Sequence, residues 1–456
     1  MQNVLTPILN LVGADHVLQG DALLSRDPGV HPDHFRSGVL VRPQDVSQLS
    51  AVLKLCSDAK QPVVVHGGRT GLSHGAVTEV GELIISMERF NRIRSIDATS
   101  RTAAVEAGVT LAHLDHHLAE HALTLGLDLG ARDSATLGGL AATNAGGNEA
   151  FRYGTMRERV LGLEVVLANG DVLCELHQVR KCNEGFSLEK QFIGSEGCLG
   201  VITAVSLELV TRARFKSSAL LGFADYQKAV ECVSHARVNP DLAAAEVLCR
   251  GQLRLALADA GLSDRAPPEG EVFVLLEFQG DTEERAYHLL EQILEQAFAA
   301  ELLADAWIAQ NERDRQLYWR LREDWAVDRH YPGGLWYDVS IPPSHINAVV
   351  LAIQRRLAEF DRSLQLFVVG HLADGNLHFT VNAERPLHGH YDAIAALITA
   401  GIKTLGGSFS AEHGIGLEKK ATLLRESSAT KLKWMRALKT FWDPHHILNR
   451  GKVVPL

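Results

Sequence analysis

Three segments built from glycine and other small residues constrain this chain more than any other feature. The first, Val63–Gly75, reads Val-Val-Val-His-Gly-Gly-Arg-Thr-Gly-Leu-Ser-His-Gly. An apolar strand runs into a glycine-dense turn. Successive backbone N–H groups in such a turn make a concave nest for a phosphate oxygen, and glycine lets a ligand approach without a Cβ clash. Arg69 and Thr70 add charge-assisted and hydroxyl contacts. The spacing is not that of the dinucleotide fingerprint, and a strand rather than a helix is expected next. Taken alone, the segment also reads as an ordinary tight loop. The second segment, Ser134–Gly147, is almost entirely small residues and carries no charge. It suits backbone lying flat against a large planar ligand. A flexible linker fits poorly, because strongly periodic segments flank it. The third, Phe192–Thr203, is a glycine-punctuated turn entering a strand. It reads as another wall of the same pocket or as a plain turn before a core strand.

The 456 residues leave room for two or three domains, and 46% hydrophobic with 22% charged residues is ordinary globular composition. A net charge of -10 argues against a nucleic-acid partner, and no Lys/Arg block marks an anionic-membrane footprint. Residues 1–14 lack a basic leader, and the apolar runs Val272–Leu276 and Ala348–Ile353 are too short to cross a bilayer. Cys56, Cys174, Cys182, Cys198, Cys232 and Cys249 are scattered without a C-x-x-C pair. Neither an iron–sulfur run nor a zinc ribbon is indicated; free thiols in a reducing, cytoplasmic setting are expected. Apolar spacing predicts a helix over Val46–Ala59, strands at Val63–Val65, Glu82–Met87 and Thr102–Val105, and a helix over Leu111–Glu120. Asn169-Gly170 predicts a hairpin turn between Leu161–Leu167 and Asp171–Leu173. Residues 126–155 show no clear period. A long strand follows at Val201–Val210, and the style changes after Arg212. There Ser263–Glu271 reads as a loop, Val272–Gln279 as a strand and Thr282–Phe298 as a helix. Gly451–Val454 reads as a closing return strand.

The second half holds the chemistry-bearing residues. Leu364–His371 and Leu377–Val381 are strand-like, with Ala373-Asp374-Gly375-Asn376 between them. With Asp374-Gly375 as a two-residue turn, His371 pairs directly with His378, and two opposed imidazoles can share one metal ion. Satisfied core or surface histidines are the plainer alternative. Further on, Glu412-His413 enters a glycine-rich turn, Ser410–Gly416. Glu412 can supply a third, oxygen ligand, and His413 a general base. Helix capping is the plainer role for Glu412.

The combination G-G-x-T-G-L, S-A-T-x-G-G…N-A-G-G and I-G-S-E-G-x-L-G-V-I-T resembles the FAD-binding domain of the vanillyl-alcohol-oxidase-type flavoproteins, over about residues 35–212. The resemblance implies that Gly67, Gly68, Arg69, Thr70, Gly71 and Leu72 hold the pyrophosphate. Ser134, Thr136, Gly138, Gly139, Thr143, Asn144, Gly147, Glu196, Gly200 and Ile202 would surround the ribityl chain and isoalloxazine. His66 and His74 sit in or beside the loop, but the resemblance favours non-covalent FAD. The segments Gly370–Phe379, Ser410–Gly416 and Asp443–Lys452 resemble the FAD-linked D-2-hydroxy-acid dehydrogenases, the group that includes D-lactate and D-2-hydroxyglutarate dehydrogenases. That implies His371, His378 and Glu412 as metal ligands, His413 as base, and Asn449 near the flavin. Asn449-Arg450-Gly451-Lys452 departs mildly from the usual N-P-G-K. Leu321-Arg322-Glu323 resembles the family's L-R-E, whose arginine binds the substrate's C1 carboxylate; a surface ion pair with Glu323 or Asp324 is the alternative. Members specific for 2-hydroxyglutarate carry a lysine where this chain has Trp336, for which Arg320, Arg329 or His330 could substitute, and tend to carry asparagine where it has Thr380.

The expected fold is α+β: a vanillyl-alcohol-oxidase-type FAD-binding domain over 1–213, an α+β substrate (cap) domain with an antiparallel sheet and the metal site over 214–430, and a segment over 431–456 returning to the first domain. The expected activity is oxidation of a D-2-hydroxy acid, D-lactate or a similar acid, to the 2-oxo acid by hydride transfer to flavin with metal assistance. D-2-hydroxyglutarate is the alternative substrate. An oxidase of another alcohol and a non-catalytic flavin electron-transfer protein are the competing functions. Expected cofactors are non-covalent FAD and a divalent metal, zinc before manganese or iron. Expected partners are the small 2-hydroxy acid and an electron acceptor, a quinone or an electron-transfer flavoprotein. No transmembrane segment is expected, and a homodimer is an option.

Overall fold

The computed structural model describes residues 2–387 and 389–455; Met1, His388 and Leu456 lie outside the described residues. The chain forms two compact units, one of residues 1–147, 153–212 and 412–456, the other of residues 148–152 and 213–411. The return to the first unit thus begins at Glu412, earlier than the expected 431. The cause is local: the N–H groups of Ile415 and Gly416 are bonded to Glu196, and that of Leu417 to the Ser73 carbonyl.

The first unit carries two main sheets. In one, Val17–Gln19, Val39–Val41, Leu83–Ser86 and Val63–His66 lie in that order, with Val63–His66 parallel to Leu83–Ser86. No helix separates these two strands, so the glycine loop between them is a strand-to-strand connection. The other sheet is antiparallel, in the order Ile93–Asp97, Thr102–Glu106, Val201–Glu208, Val160–Val166, Val172–Glu175. Its last pair is the expected hairpin, with Val166 opposite Val172 and Gly170 in the turn. Helix Val46–Asp58 is capped by Asp45, which accepts from the Gln48 N–H, and it buries Leu49, Leu53 and Cys56 in the core.

Two local expectations change. Part of Ser134–Gly147 is a short helix, Leu137–Thr143, rather than flat backbone. Thr136 caps it by accepting from the Gly139 N–H, and Asn144 ends it in the left-handed conformation. Gly and Ala supply no apolar period, which hides the helix from pattern reading. Residues 451–454 form turns, not a strand; the sheet pairing lies at Leu448, bridged in parallel to Val63. Asn449, Gly451 and Val453 all have positive φ, which interrupts extended backbone.

The C-terminal segment is tied in by a buried ion pair. Lys439 Nζ lies 2.6 Å from Asp443 Oδ2, the side chains being 2% and 0% exposed. The ammonium also donates to the Cys198 and Leu448 carbonyls, while Asp443 accepts from the N–H groups of Ile447 and Leu448. With every charge bonded the pair is tolerated. Removing one partner leaves a buried charge, at a cost of about 3–5 kcal/mol.

The second unit is a seven-stranded antiparallel sheet in the order Leu303–Ile308, Phe215–Phe223, Val272–Gly280, Leu242–Cys249, Gln365–His371, Asn376–Asn382, Leu335–Ser340. Helices Tyr226–Ala236, Glu283–Ala299 and Ile346–Phe360 bury their apolar stripes in one core with this sheet. Helices Arg250–Asp259 and Glu312–Glu323 pack into a separate core with Leu248, Phe273 and Leu275. The long helix begins where Thr282 caps it, accepting from the Arg285 N–H.

Candidate active site

In the first unit the three glycine segments converge on one cleft of about 940 Å³, part of it open to solvent. Of the sequence-predicted residues, Gly67, Gly68, Arg69, Thr70, Gly71, Thr136, Gly138, Gly139, Thr143, Glu196, Gly200, Ile202, His413 and Asn449 line it. Leu72, Ser134, Asn144 and Gly147 are not among the lining residues. Ser134 stands behind the wall: a Cβ on Gly68 would sit 2.0 Å from its carbonyl oxygen. Asn144 works as a brace, its Oδ1 accepting from the Arg157 N–H and the Thr155 hydroxyl. Val65, Met87, Ala107 and Leu140 also line the cleft. They come from strand ends and a hidden helix, where no local pattern marks them.

The backbone of the cleft is strained at particular places. Arg69, Glu196 and Asn449 adopt φ of 56°, 50° and 41°. Left-handed backbone at non-glycine residues costs roughly 1–3 kcal/mol each and persists only where the surroundings enforce it. Those surroundings are visible. Asn449 Oδ1 accepts from the Val65 N–H (3.0 Å), and its Nδ2 donates to the Glu196 carbonyl (2.6 Å). Glu196 accepts through Oε1 from Ile415 N–H (2.7 Å) and through Oε2 from Gly416 N–H (2.9 Å). Burial pushes the Glu196 carboxyl up, and the two N–H groups oppose that. Ser73 Oγ donates to the His413 carbonyl at 2.7 Å. His413 is therefore held at the cleft by the same groups that shape it. The second segment is pinned through Gly138 N–H to the Ala107 carbonyl, and the third to the second through Glu196 N–H to the Ala142 carbonyl.

The residues fit FAD. Nest-forming backbone, a charged Arg69 and a largely apolar trough meet in one cleft. Arg69, which lines it, has its Nε buried without a hydrogen-bond partner in the chain, as expected where a polar ligand completes the site.

The second unit holds the histidine hairpin, with a corrected register. The turn spans residues 372–375, so His371 pairs with Asn376 and Val369 with His378. Gly375, at φ 81°, is in contact with strand-end backbone: a Cβ there would lie 1.9 Å from the Ile341 carbonyl. This fixes the longer turn. A shift of two residues keeps every side chain on its face, so His371 and His378 remain neighbours, diagonally. Their ring centroids are 5.6 Å apart at 84°.

Each imidazole faces a carboxylate across the next strand. His371 pairs with Glu246 in register, Nδ1 to Oε1 2.8 Å, and His378 with Asp338, Nδ1 to Oδ1 3.5 Å. With its Nδ1 bonded to Glu246, His371 would give Nε2 to a metal, the usual carboxylate–histidine arrangement; at His378 the carboxylate of Asp338 stands at ion-pair distance. Glu246 is 1% exposed and also takes Arg322 at 2.8 Å. Burial pushes its carboxyl up; His371 and Arg322 together outweigh that and hold it below the usual range. Arg322 therefore pairs with Glu246, not with Glu323 or Asp324. Sequence reasoning missed Glu246, because one carboxylate in an alanine-rich strand carries no local signal. Trp336 lies opposite Thr380, two residues from the Asp338–His378 pair and on its face, and its Nε1 donates to Asp328 at 2.6 Å. Ala411, the last residue of this unit before Glu412, donates its N–H to Asp338 Oδ2 at 2.9 Å.

Gly68 gives a direct test of the cleft. Gly68→Ala must displace Ser134 backbone, whereas a Cβ on Gly71 meets nothing within 4 Å. Gly68→Ala is expected to lose bound flavin and to melt several degrees lower even without cofactor; Gly71→Ala should melt like wild type. Flavin content after gel filtration and thermal melts of both variants check this.

Comparison with known proteins agrees with this geometry. Residues 38–174 match the FAD binding domain family, and residues 212–453 match the C-terminal domain of the FAD linked oxidases. The chain is 35% identical over 422 residues to the mitochondrial D-2-hydroxyglutarate dehydrogenase of Rattus norvegicus, covering 92% of this chain and 78% of that one. It is 29% identical to the D-2-hydroxyglutarate–pyruvate transhydrogenase of Saccharomyces cerevisiae, over 92% of this chain and 87% of that one. Among solved structures, p-cresol methylhydroxylase superposes with a TM-score of 0.80 at 18% identity, covering 99% of this chain and 96% of that one, which speaks to the fold alone. The chain belongs to the FAD-linked oxidase family, among the FAD-dependent D-2-hydroxy-acid dehydrogenases built on the vanillyl-alcohol-oxidase-type fold.

Proposed function

We propose that this enzyme oxidises a D-2-hydroxy monocarboxylic acid, D-lactate or a longer apolar homologue, to its 2-oxo acid. The observation that carries the reading is the placement of His413 on the wall of the cleft formed by the three glycine segments. FAD, when bound there, supplies the hydride acceptor. A neutral imidazole at His413 takes the substrate's hydroxyl proton, which makes the C2 hydrogen easier to remove as hydride. Ser73 and Glu196 hold the His413 backbone and the turn after it, so the base meets the substrate without reorganisation.

A divalent metal is proposed at His371 and His378, with Glu412 as third ligand on the strength of the sequence motif. The Glu246 contact supports it by fixing the His371 ring, and Asp338 lies at ion-pair distance from His378. Two nitrogens and an oxygen suit zinc first, then manganese or iron. When bound, such an ion supplies a Lewis acid for the substrate's oxygens. Arg322 is the proposed partner of the C1 carboxylate: one edge of its fork is on Glu246, while its Nε is buried without a hydrogen-bond partner. Turnover also needs an electron acceptor, a quinone or an electron-transfer flavoprotein.

The substrate preference rests on Trp336. It stands on the face of His378, opposite Thr380, and its single donor is committed to Asp328. It can offer a substrate tail an apolar wall but no charge. A dicarboxylate is the second reading, favoured by the names of the relatives, among them the rat protein.

Two outcomes check these proposals. Chelator-stripped protein should stay yellow but lose most turnover, and His371→Ala should lower metal content while retaining FAD; full activity without metal excludes a role for the ion. For the substrate, kcat/KM should favour D-lactate or D-2-hydroxybutyrate over D-2-hydroxyglutarate. Trp336→Lys should shift that ratio toward the dicarboxylate by ~10–100-fold, the worth of one charge-assisted contact. A wild-type preference for D-2-hydroxyglutarate selects the second reading.

A further inference from the structure

The crossing that follows strand Val172–Glu175, residues 176–188, takes no part in the proposed chemistry, yet it gathers an unusual donor set. Its first residues are anchored to the five-stranded sheet. Ser206 Oγ donates to the His177 carbonyl, Thr102 Oγ1 to Gln178 Oε1 at 3.1 Å, and Arg180 Nε to Glu208. His177 is thus fixed at the sheet edge. Cys182 Sγ lies 3.5 Å from His177 Nε2, and ligand atoms of His177, Cys182 and Glu184 all lie within 4.8 Å of one another. A further carboxylate oxygen, Glu175 Oε2, is 2.9 Å from the same nitrogen.

We propose that His177, Cys182 and Glu184 form a second divalent-metal site, for a thiophilic ion such as zinc. Zinc bonds of about 2.3 Å to sulfur and about 2.0–2.1 Å to nitrogen, set at a tetrahedral angle, place the two ligand atoms ~3.6 Å apart. The observed 3.5 Å matches that without rearrangement. A thiol–imidazole hydrogen bond has a similar length, so the distance alone does not decide. The third donor adds to it: Glu184 brings a carboxylate oxygen within 4.8 Å of the sulfur and the nitrogen, which completes a nitrogen, sulfur and oxygen set of the kind that zinc takes. Thiolate and carboxylate supply two negative charges, which balance a 2+ ion. On binding, the metal replaces the Cys182 thiol proton, which leaves to solvent, and the imidazole keeps its one proton on Nδ1. No oxidation state changes. Glu175 or water completes four coordination. Cys182 and Glu184 are exposed, so the ion enters directly from solvent. The site would staple the crossing to its anchored end.

Sulfur makes this site spectroscopically separate from the one proposed at His371, His378 and Glu412, which offers only nitrogen and oxygen. FAD-loaded, chelator-stripped protein is titrated anaerobically with Co(II) alone, read as difference spectra. A near-ultraviolet thiolate-to-cobalt charge-transfer band should grow to its full height within two added equivalents, one for each proposed site, and vanish when Zn(II) displaces the cobalt. Cys182→Ala should abolish the band, His177→Ala should weaken cobalt affinity by ~10-fold or more, and Cys174→Ala, the other exposed cysteine, should leave it intact. Absence of the band at saturating cobalt, or its survival in Cys182→Ala, overturns the proposal. The band does not depend on the histidine hairpin, whose metal is scored separately as the drop in total cobalt in His371→Ala.

Discussion

The carboxylate of Glu196 is the contact on which the flavin-binding unit turns. It receives the N–H groups of Ile415 and Gly416, while its own backbone carbonyl receives Asn449 and its N–H bonds the small-residue helix. Four stretches of chain separated by up to several hundred residues meet at this one residue. Each charge-assisted bond contributes about 1.5–3 kcal/mol, the same order as the cost of one left-handed residue such as Glu196 itself. Glu196 shares with Ser73 the hold on the turn that carries His413. The return of the chain at Glu412 follows from this contact.

The second unit solves a different problem, that of keeping two histidines fixed inside an antiparallel sheet. It does so with a row of two carboxylates and two imidazoles laid across four neighbouring strands: Glu246, His371, His378, Asp338. Strand register alone sets the neighbours, and the even register shift of the hairpin shows why the face matters more than the pairing. Arg322 joins the row from a helix packed on the sheet, so a single buried carboxylate, Glu246, orients both a proposed metal ligand and the proposed substrate arginine. Mutating it would disturb both.

The glycine segments were legible in the sequence because nests and close approaches demand particular residues at particular spacings, and the long helices and strands because apolar periodicity survives without context. What stayed hidden had physical causes. The helix over Leu137–Thr143 has no apolar stripe. The two-residue turn assumed at Asp374-Gly375 is locally reasonable but loses to backbone packing of Gly375 on Ile341. Gly451–Val454 reads as a strand until positive φ at Asn449, Gly451 and Val453 breaks it. Glu196 was singled out as a cofactor contact, but its role as a clamp requires partners more than 200 residues away, beyond any sequence window. Arg322 was identified, its partner Glu246 was not.

The central claim is that one cleft holds FAD and the base His413 together. Anaerobic mixing of the yellow protein with a D-2-hydroxy acid measures this in a single turnover, free of the electron acceptor. The D acid should bleach the flavin, its L enantiomer should not, and His413→Ala, still loaded with FAD, should bleach ~10²–10⁴-fold more slowly. Equal rates in wild type and His413→Ala, or no bleaching by any D-2-hydroxy acid, would contradict the account.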